Sequence, residues 1–443
     1  MTTTDLIIIG CGPGGYQAAP YAAKHGLQVT VIEESHVGGT CLNVGCIPTK
    51  AYCHEAEVIE QARRAAEHGL DGLNFSLNFA KIQEHKNQVV QQLRSGVETL
   101  MAMPGINFVQ GKASFKDAHT VVVGNEEYRA GHIIIATGSY SKMPPIEGID
   151  SPGVVTSAEL LDIDHVPPRL VIVGAGVIGL EFASAFNTFG SQVTVIEFLK
   201  ECLPAMDSDI AKRLRKQLER RGVQFFMQSG VKSIDNGTVT FETKGKVNTV
   251  GADTILIATG RAANVDGLKL ENAGIAYDRQ GIKTDENMQT NVEGVYAIGD
   301  VNGRMMLAHA ATFQGYRAVN HILGLADDIR LDIMPGAVFT NPEAASVGKT
   351  EDALKAEGTE YKAHKGYYRA NGKAVATGET EGMVKILTDL GDRIIGCHIL
   401  GAHASGMVQE ITALMNRDTT LQQLGDIIHT HPTLEEILHD TAH

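Results

Sequence analysis

The chain has 443 residues, 43% hydrophobic and 20% charged, with 48 glycines; it is too long for one core and is expected to form about three domains able to bury a large cofactor. Its formal charge of −14 argues against a nucleic-acid or anionic-membrane partner, no apolar run reaches the roughly 18 residues of a membrane span, and no metal-ligand set is assigned. Six cysteines are too few for a secreted disulfide scaffold and the N-terminus shows no signal or transit pattern, so the protein is expected in the cytoplasm, where a disulfide is more often catalytic than structural.

An apolar strand, 6–9, runs into Gly10-Cys11-Gly12-Pro13-Gly14-Gly15, then a helical segment, then a second strand, 29–33, ending in Glu33. This is a βαβ unit carrying G-x-G-x-x-G. Gly10 permits the tight turn, Gly12 lets a pyrophosphate approach the backbone, Gly15 allows close helix packing, and Glu33 can accept hydrogen bonds from a ribose diol. Pro20 falls in the middle of the expected helix, so a kink between Tyr16 and Pro20, or an early break, is expected.

The next stretch, GGTCLNVGCIPTK (38–50), places Cys41 and Cys46 five residues apart among glycines. On a regular helix that separation is about 7.5 Å, beyond the roughly 7 Å a disulfide tolerates between Cα atoms. If the two cysteines pair, the backbone here is not a plain helix; Gly38, Gly39, Gly45 and Pro48 supply the means to distort it. Two unrelated cysteines beside a helix start remain the alternative on spacing alone.

The βαβ unit then recurs. Residues 169–198 align without a gap on 5–34, so Gly174, Gly176 and Gly179 repeat the three glycines and Glu197 repeats Glu33. A shorter echo, IIIATGS (133–139) and ILIATGR (255–261), sets Thr137-Gly138 and Gly260-Arg261 after apolar strands, where small residues admit a ligand close to the backbone. An acid at both strand ends favours a free 2′-hydroxyl over a 2′-phosphate, so the second site is read as one for NAD. Beyond residue 332 no fingerprint occurs; strands are expected at 337–340 and 383–387 and a helix near 405–416. In the tail, HTHPTLEE (429–436), His431 has the near-neutral pKa of a general base, and Glu435 and Glu436 compete on spacing as its carboxylate partner.

GGTCLNVGCIPTK, the paired fingerprints, VYAIGD (295–300) and HPTLEE (431–436) together resemble the pyridine nucleotide-disulfide oxidoreductases over nearly the whole chain, and within them the branch that oxidises dihydrolipoamide with NAD. The resemblance implies an α/β fold: two Rossmann-like dinucleotide-binding domains, for FAD (1–146) and NAD (147–265), a central region (266–331) packing with the FAD domain, and a C-terminal α+β dimerisation domain (332–443). It implies a redox disulfide between Cys41, facing substrate, and Cys46, facing flavin. It further implies that Asp300 bonds the FAD ribitol, that the segment from Ala308 lines the flavin, that Thr40 approaches it through backbone, and that Lys50 and Glu181 pair beside its ring. His431 with Glu436 would serve as base at the disulfide of a second subunit, making the protein a homodimer whose substrate is a lipoyl-bearing protein or small dithiol. Protonated His431 would depress the pKa of the attacked thiol. Cys11, Cys53, Cys202 and Cys397 are read as packing groups.

Three rivals stand beside this reading. A glutathione reductase-like enzyme would use NADPH, against which Glu197 argues; a mercuric reductase would carry tail cysteines, and none follows Cys397. A non-catalytic flavin-binding structural subunit would show damage at Cys41, Cys46, His431 or Glu436, and all four are present. One departure concerns substrate: Ala310 follows His309 where the dihydrolipoamide-oxidising relatives tend to carry a charged residue.

Overall fold

The computed structural model describes residues 1–443, which group into two compact units: 1–51, 81–142 and 260–331 in one, 52–80, 143–259 and 332–443 in the other. No helix is long and apolar enough to cross a membrane.

In the first unit, strand Thr2–Ile9 lies between Val29–Glu33 and Glu126–Ile135, parallel to both, with Ile7 opposite Thr30 on one side and Ile133 on the other. Strand Ile106–Gln110 extends the sheet in parallel beyond Val29–Glu33. The far edge of Glu126–Ile135 is shared: its first half takes Thr120–Val123 in antiparallel pairing, and its last three residues take Val295–Ala297 in parallel. The two central strands begin polar and end in apolar runs that do not alternate, 6–9 and 133–135, of which Leu6, Ile7, Ile8 and 133–135 are fully buried, as expected where both faces of a parallel sheet are covered.

Helix Pro13–Lys24 runs through Pro20 without interruption, so the early break allowed by the sequence does not occur. The proline still removes one backbone donor, but tertiary packing holds the turn. Helix Ala308–Leu323 lies against it: a Cβ on Gly315 would stand 3.2 Å from Ala18 Cβ, the Tyr21 hydroxyl donates to Asn320 Oδ1 at 2.8 Å, and the Tyr316 hydroxyl donates to Gln17 Oε1 at 3.3 Å.

In the second unit, five parallel strands stand in the order 224–226, 192–196, 169–173, 254–257, 154–155, and an antiparallel meander over 229–251 is inserted in the chain between strands 224–226 and 254–257. Segment 52–80 packs on the fingerprint helix Val177–Phe189 through an aromatic cluster in which Tyr52 meets Phe186 and Phe189 edge-on at 5.9 and 5.7 Å. The C-terminal part forms a five-stranded antiparallel sheet, 336–338, 344–348, 394–400, 383–388, 362–367, covered by helix Ala404–Met415 through Met407, Val408 and Ile411. The expected strands and helix of this region are present, with ends shifted by one or two residues.

Candidate functional site

The glycines of the two fingerprints do the same work in both copies. Gly10 and Gly174 have φ of +105° and +107°, and a Cβ on either would strike the carbonyl oxygen of Ala136 or Ala258. A Cβ on Gly15 or Gly179 would strike the carbonyl of Gly10 or Gly174, so the helix can press onto its own loop only without a side chain there. Around Gly12 and Gly176 the space is open, apart from Gly39 Cα at 3.9 Å from the Gly12 position. Each loop thus leaves bare backbone N–H groups and a helix N-terminus facing a space, the arrangement that holds a pyrophosphate. The residues fit an adenine dinucleotide in each unit.

The acids have a second task that the sequence did not disclose. Glu33 accepts from Cys11 N at 2.7 Å and Ser35 N at 2.8 Å; Glu197 accepts from Ala175 N at 2.6 Å and Leu199 N at 2.7 Å. Each carboxylate ties the glycine loop to the end of its own strand. Glu33 Oε1 also accepts from Ser35 Oγ at 3.3 Å, while Glu33 Oε2 and both oxygens of Glu197 keep a lone pair for a ribose hydroxyl.

In 38–50, helix Gly39–Val44 ends at Gly45, whose φ of −143° and ψ of −115° break the run, and a new helix starts at Cys46. The plain helix is therefore absent, as pairing requires. A Cβ on Gly45 would lie 2.9 Å from the Thr40 carbonyl oxygen and 3.3 Å from Cys41 Cα, so this glycine lets the turn fold back on Cys41. The Cys41 and Cys46 side chains hydrogen-bond each other. That bond, then burial, pushes the Cys41 thiol above its ordinary range, with Lys50 pulling the other way. The depressed pKa expected at Cys41 is thus not a property of the single chain, because its nearest partner is another thiol rather than a cation. Thr40 is exposed and Lys50 half-buried.

The loop is seated directly on the first fingerprint. Gly38 N donates to the Cys11 carbonyl at 2.8 Å, and a Cβ on Gly39 would stand 2.7 Å from Gly12 Cα. Asn43 Nδ2 donates to the carbonyls of Val37 at 3.0 Å and Gly39 at 2.9 Å, and Arg94 Nε donates to Asn43 Oδ1 at 2.8 Å. Sequence reading missed Asn43 and Arg94; the asparagine inside the glycine-bounded stretch was a signal, the arginine gave none. It also missed Tyr16, whose phenol is pushed up to about 12 by burial and by the nearby Cys41, Cys11 and Cys46.

Thr137, Gly138, Gly260, Arg261 and Asp300 come together in the first unit. The segments leaving the two Ala-Thr-Gly turns pair with each other, Ser139–Ser141 antiparallel to Arg261–Ala263. Thr137 Oγ1 donates to the Asn264 carbonyl at 2.7 Å, and Asn264 N donates to the Gly138 carbonyl at 2.9 Å. A Cβ on Gly138 or Gly260 would meet open space. Arg261 Nε donates to Ser139 Oγ at 2.7 Å, and that hydroxyl donates to Asp300 Oδ2 at 2.5 Å. Although Arg261 follows the second repeat in sequence, its side chain serves the first unit. Ser139, unassigned from sequence, is the link. Ala308 opens the helix that packs on the fingerprint helix.

The second unit holds Glu181 and the tail dyad. Glu181 is 3% exposed and accepts from Phe339 N at 3.0 Å. His431 Nδ1 lies 2.9 Å from Glu436 Oε1, and Glu436 Oε2 accepts from Thr433 N at 2.8 Å. Glu436, not Glu435, is thus the partner. The Thr433 amide, then His431, holds its carboxyl below the usual range. With Nδ1–H engaged, Nε2 presents a lone pair from a side chain that is 79% exposed. Of the four cysteines read as packing groups, Cys11, Cys202 and Cys397 are buried and Cys53 is half-buried.

The chain's likeness to known proteins is consistent along its length. The family described as pyridine nucleotide-disulphide oxidoreductase matches residues 4–315, and that family's dimerisation domain matches 334–442. Dihydrolipoyl dehydrogenase of Bacillus subtilis is 39% identical, covering 100% of this chain and 98% of the relative; the mitochondrial dihydrolipoyl dehydrogenase of Pisum sativum is 38% identical, covering 99% and 90%. Among solved structures, the HOCl-induced flavoprotein disulfide reductase RclA of Escherichia coli, as its Cu(II) complex, superposes with a TM-score of 0.89 at 32% identity, covering 100% of this chain and 99% of that one.

Proposed function

The chain belongs to the pyridine nucleotide-disulphide oxidoreductases, and from that premise we propose that it oxidises dihydrolipoamide, free or on a lipoyl-bearing protein, to lipoamide with NAD⁺ through a Cys41–Cys46 disulfide. It is a flavoprotein disulfide oxidoreductase whose cofactors are FAD and NAD. The observation that carries the substrate-side reading is the folding back of Cys46 onto Cys41 at Gly45, in a loop seated on Gly12 of the first fingerprint. We assign 1–146 to FAD binding, 147–265 to NAD binding, 266–331 to the central region and 332–443 to dimerisation, and we read the protein as a cytoplasmic homodimer. The dimerisation-domain match supports the dimer.

In this reading, His431 of the partner subunit takes a proton at Nε2 from one substrate thiol. The thiolate attacks Cys41 Sγ, the Cys41–Cys46 bond breaks, and a mixed disulfide forms. The second substrate thiol, deprotonated in turn, attacks the substrate sulfur of that mixed disulfide. Cyclic disulfide leaves and both cysteines are reduced. Glu436 keeps the imidazole in the Nδ1–H tautomer and stabilises its protonated form. The partner's cation would add to Lys50 a second charge that favours the Cys41 thiolate. Gly10, Gly12, Gly15, Glu33, Thr40, Lys50, Gly138 and Asp300 would hold FAD; Gly174, Gly176, Gly179 and Glu197 would hold NAD. FAD, when bound, supplies a two-electron acceptor that passes a hydride to NAD⁺.

An anaerobic titration of the flavoprotein with dihydrolipoamide tests the substrate: flavin bleaching is expected, and none would sink this reading. Cys46→Ser is expected to bind FAD yet lose dithiol-dependent NAD⁺ reduction, measured by NADH absorbance. Retained turnover would remove Cys46 from the relay. Ala310, fully buried at the position where the resemblance to the dihydrolipoamide-oxidising branch implies a charged residue, favours a second reading, reduction of another small disulfide by NADH. Faster turnover with such a disulfide than with lipoamide would select it.

A further inference from the structure

The two fingerprints align without a gap through their glycines and acids, and differ in the residue that follows the acid. In the first unit the next residue is Glu34, paired with Lys112 at 3.5 Å. In the second it is Phe198, whose ring is 77% exposed. The ring's base is fixed: Glu197 takes the amide of Leu199 on its own carboxylate at 2.7 Å, its carbonyl accepts from Ser229 N at 2.8 Å, and the Leu199 carbonyl accepts from Gln228 N at 2.9 Å. A Cβ on Gly230 would stand 3.6 and 3.9 Å from Phe198 Cδ2 and Cε2, so the ring leans on a position without a side chain. Half-buried Val231 follows it. A large apolar ring is thus held into solvent on a rigid segment, which costs exposure with nothing in the fold to gain.

We propose that Phe198 is a platform on which the adenine of the second dinucleotide stacks, with Gly230 and Val231 beside it. The proposal rests on reading this unit as the NAD site. With the pyrophosphate at the helix N-terminus by Gly176 and the ribose diol at Glu197, the base continues outward past the strand end, where Phe198 projects. A phenyl face offers stacking and no cation for a 2′-phosphate, so it adds to the preference set by Glu197. The first site, with a charged pair at the matching position, has no such platform there.

Calorimetric titration of the FAD-loaded protein with ADP-ribose, and separately with nicotinamide mononucleotide, tests this. Phe198→Ala should weaken ADP-ribose binding by about tenfold or more, the scale of losing one base–aromatic stack, while Phe198→Tyr keeps it and the mononucleotide binds all three proteins alike. Equal ADP-ribose affinity in wild type and Phe198→Ala overturns the platform, and so does a parallel loss for the mononucleotide, which would mark a collapsed site. A wild type that binds no ADP-ribose overturns the NAD reading and the platform with it.

Discussion

At the scale of single residues, Gly45 and Asn43 shape the redox loop. Gly45 is irreplaceable by volume: even a methyl group would press on the Thr40 carbonyl at 2.9 Å. Gly45→Ala is expected to lower stability by about 1–3 kcal/mol through overpacking and to slow re-formation of the Cys41–Cys46 bond, read by thiol alkylation in a redox buffer; an unchanged rate would separate the glycine from the disulfide. Asn43 spans the carbonyls of Val37 and Gly39, so Asn43→Ala leaves both without that donor. The expected cost is roughly 1 kcal/mol per lost bond, measured by denaturant unfolding. His431→Gln should keep FAD and lose most dithiol turnover, because an amide offers no basic nitrogen at neutral pH. Unchanged turnover would remove His431 from the mechanism.

At the scale of elements, the second unit is fastened by a buried ion cluster. Lys385, fully buried on strand Met383–Thr388, lies 2.5 Å from Asp207 Oδ1 and 2.8 Å from Glu351 Oε2, while Asp207 also caps helix Ser208–Arg220 through Asp209 N. Burial alone would lower the lysine's pKa, but its bonds to Asp207 and Glu351 outweigh that and raise it. Bonds from Lys355 and then Lys385 hold Glu351 down at about 2 against an ordinary 4.5. A carboxylate with a depressed folded-state pKa stabilises fully above its unfolded pKa and loses that contribution as pH falls. The stability gap between wild type and Glu351→Gln should therefore be widest above pH about 4.5 and shrink toward pH about 2, read by unfolding midpoints across that window. A gap constant with pH would show that Glu351 acts by packing rather than charge. Removing one partner of so buried a set is more damaging than its net worth suggests, since the lysine would keep its charge without full compensation.

At the scale of the whole molecule, activity should depend on association, because the proposed base and disulfide belong to different subunits. Dithiol turnover per flavin is expected to fall on dilution in step with the dimer fraction measured by size exclusion, and constant turnover in a monomer would refute the shared site. The amino-acid sequence by itself determined the duplicated βαβ units, the three roles of their glycines and the absence of a third fingerprint, and it required a distorted backbone between Cys41 and Cys46 only if the two pair. These follow from which residue types stand at fixed short spacings, and a φ of +105° at Gly10 or an apolar strand is a local demand written where it is met. Only the tertiary structure decided that Pro20 is tolerated, that Glu33 and Glu197 latch their own loops, that Arg94 reaches Asn43, and that Arg261 serves the first unit through Ser139 and Asp300. Those outcomes join residues scores to hundreds of positions apart, or set packing against a local penalty, and such choices leave no periodicity to read because they are made by the partner across the fold.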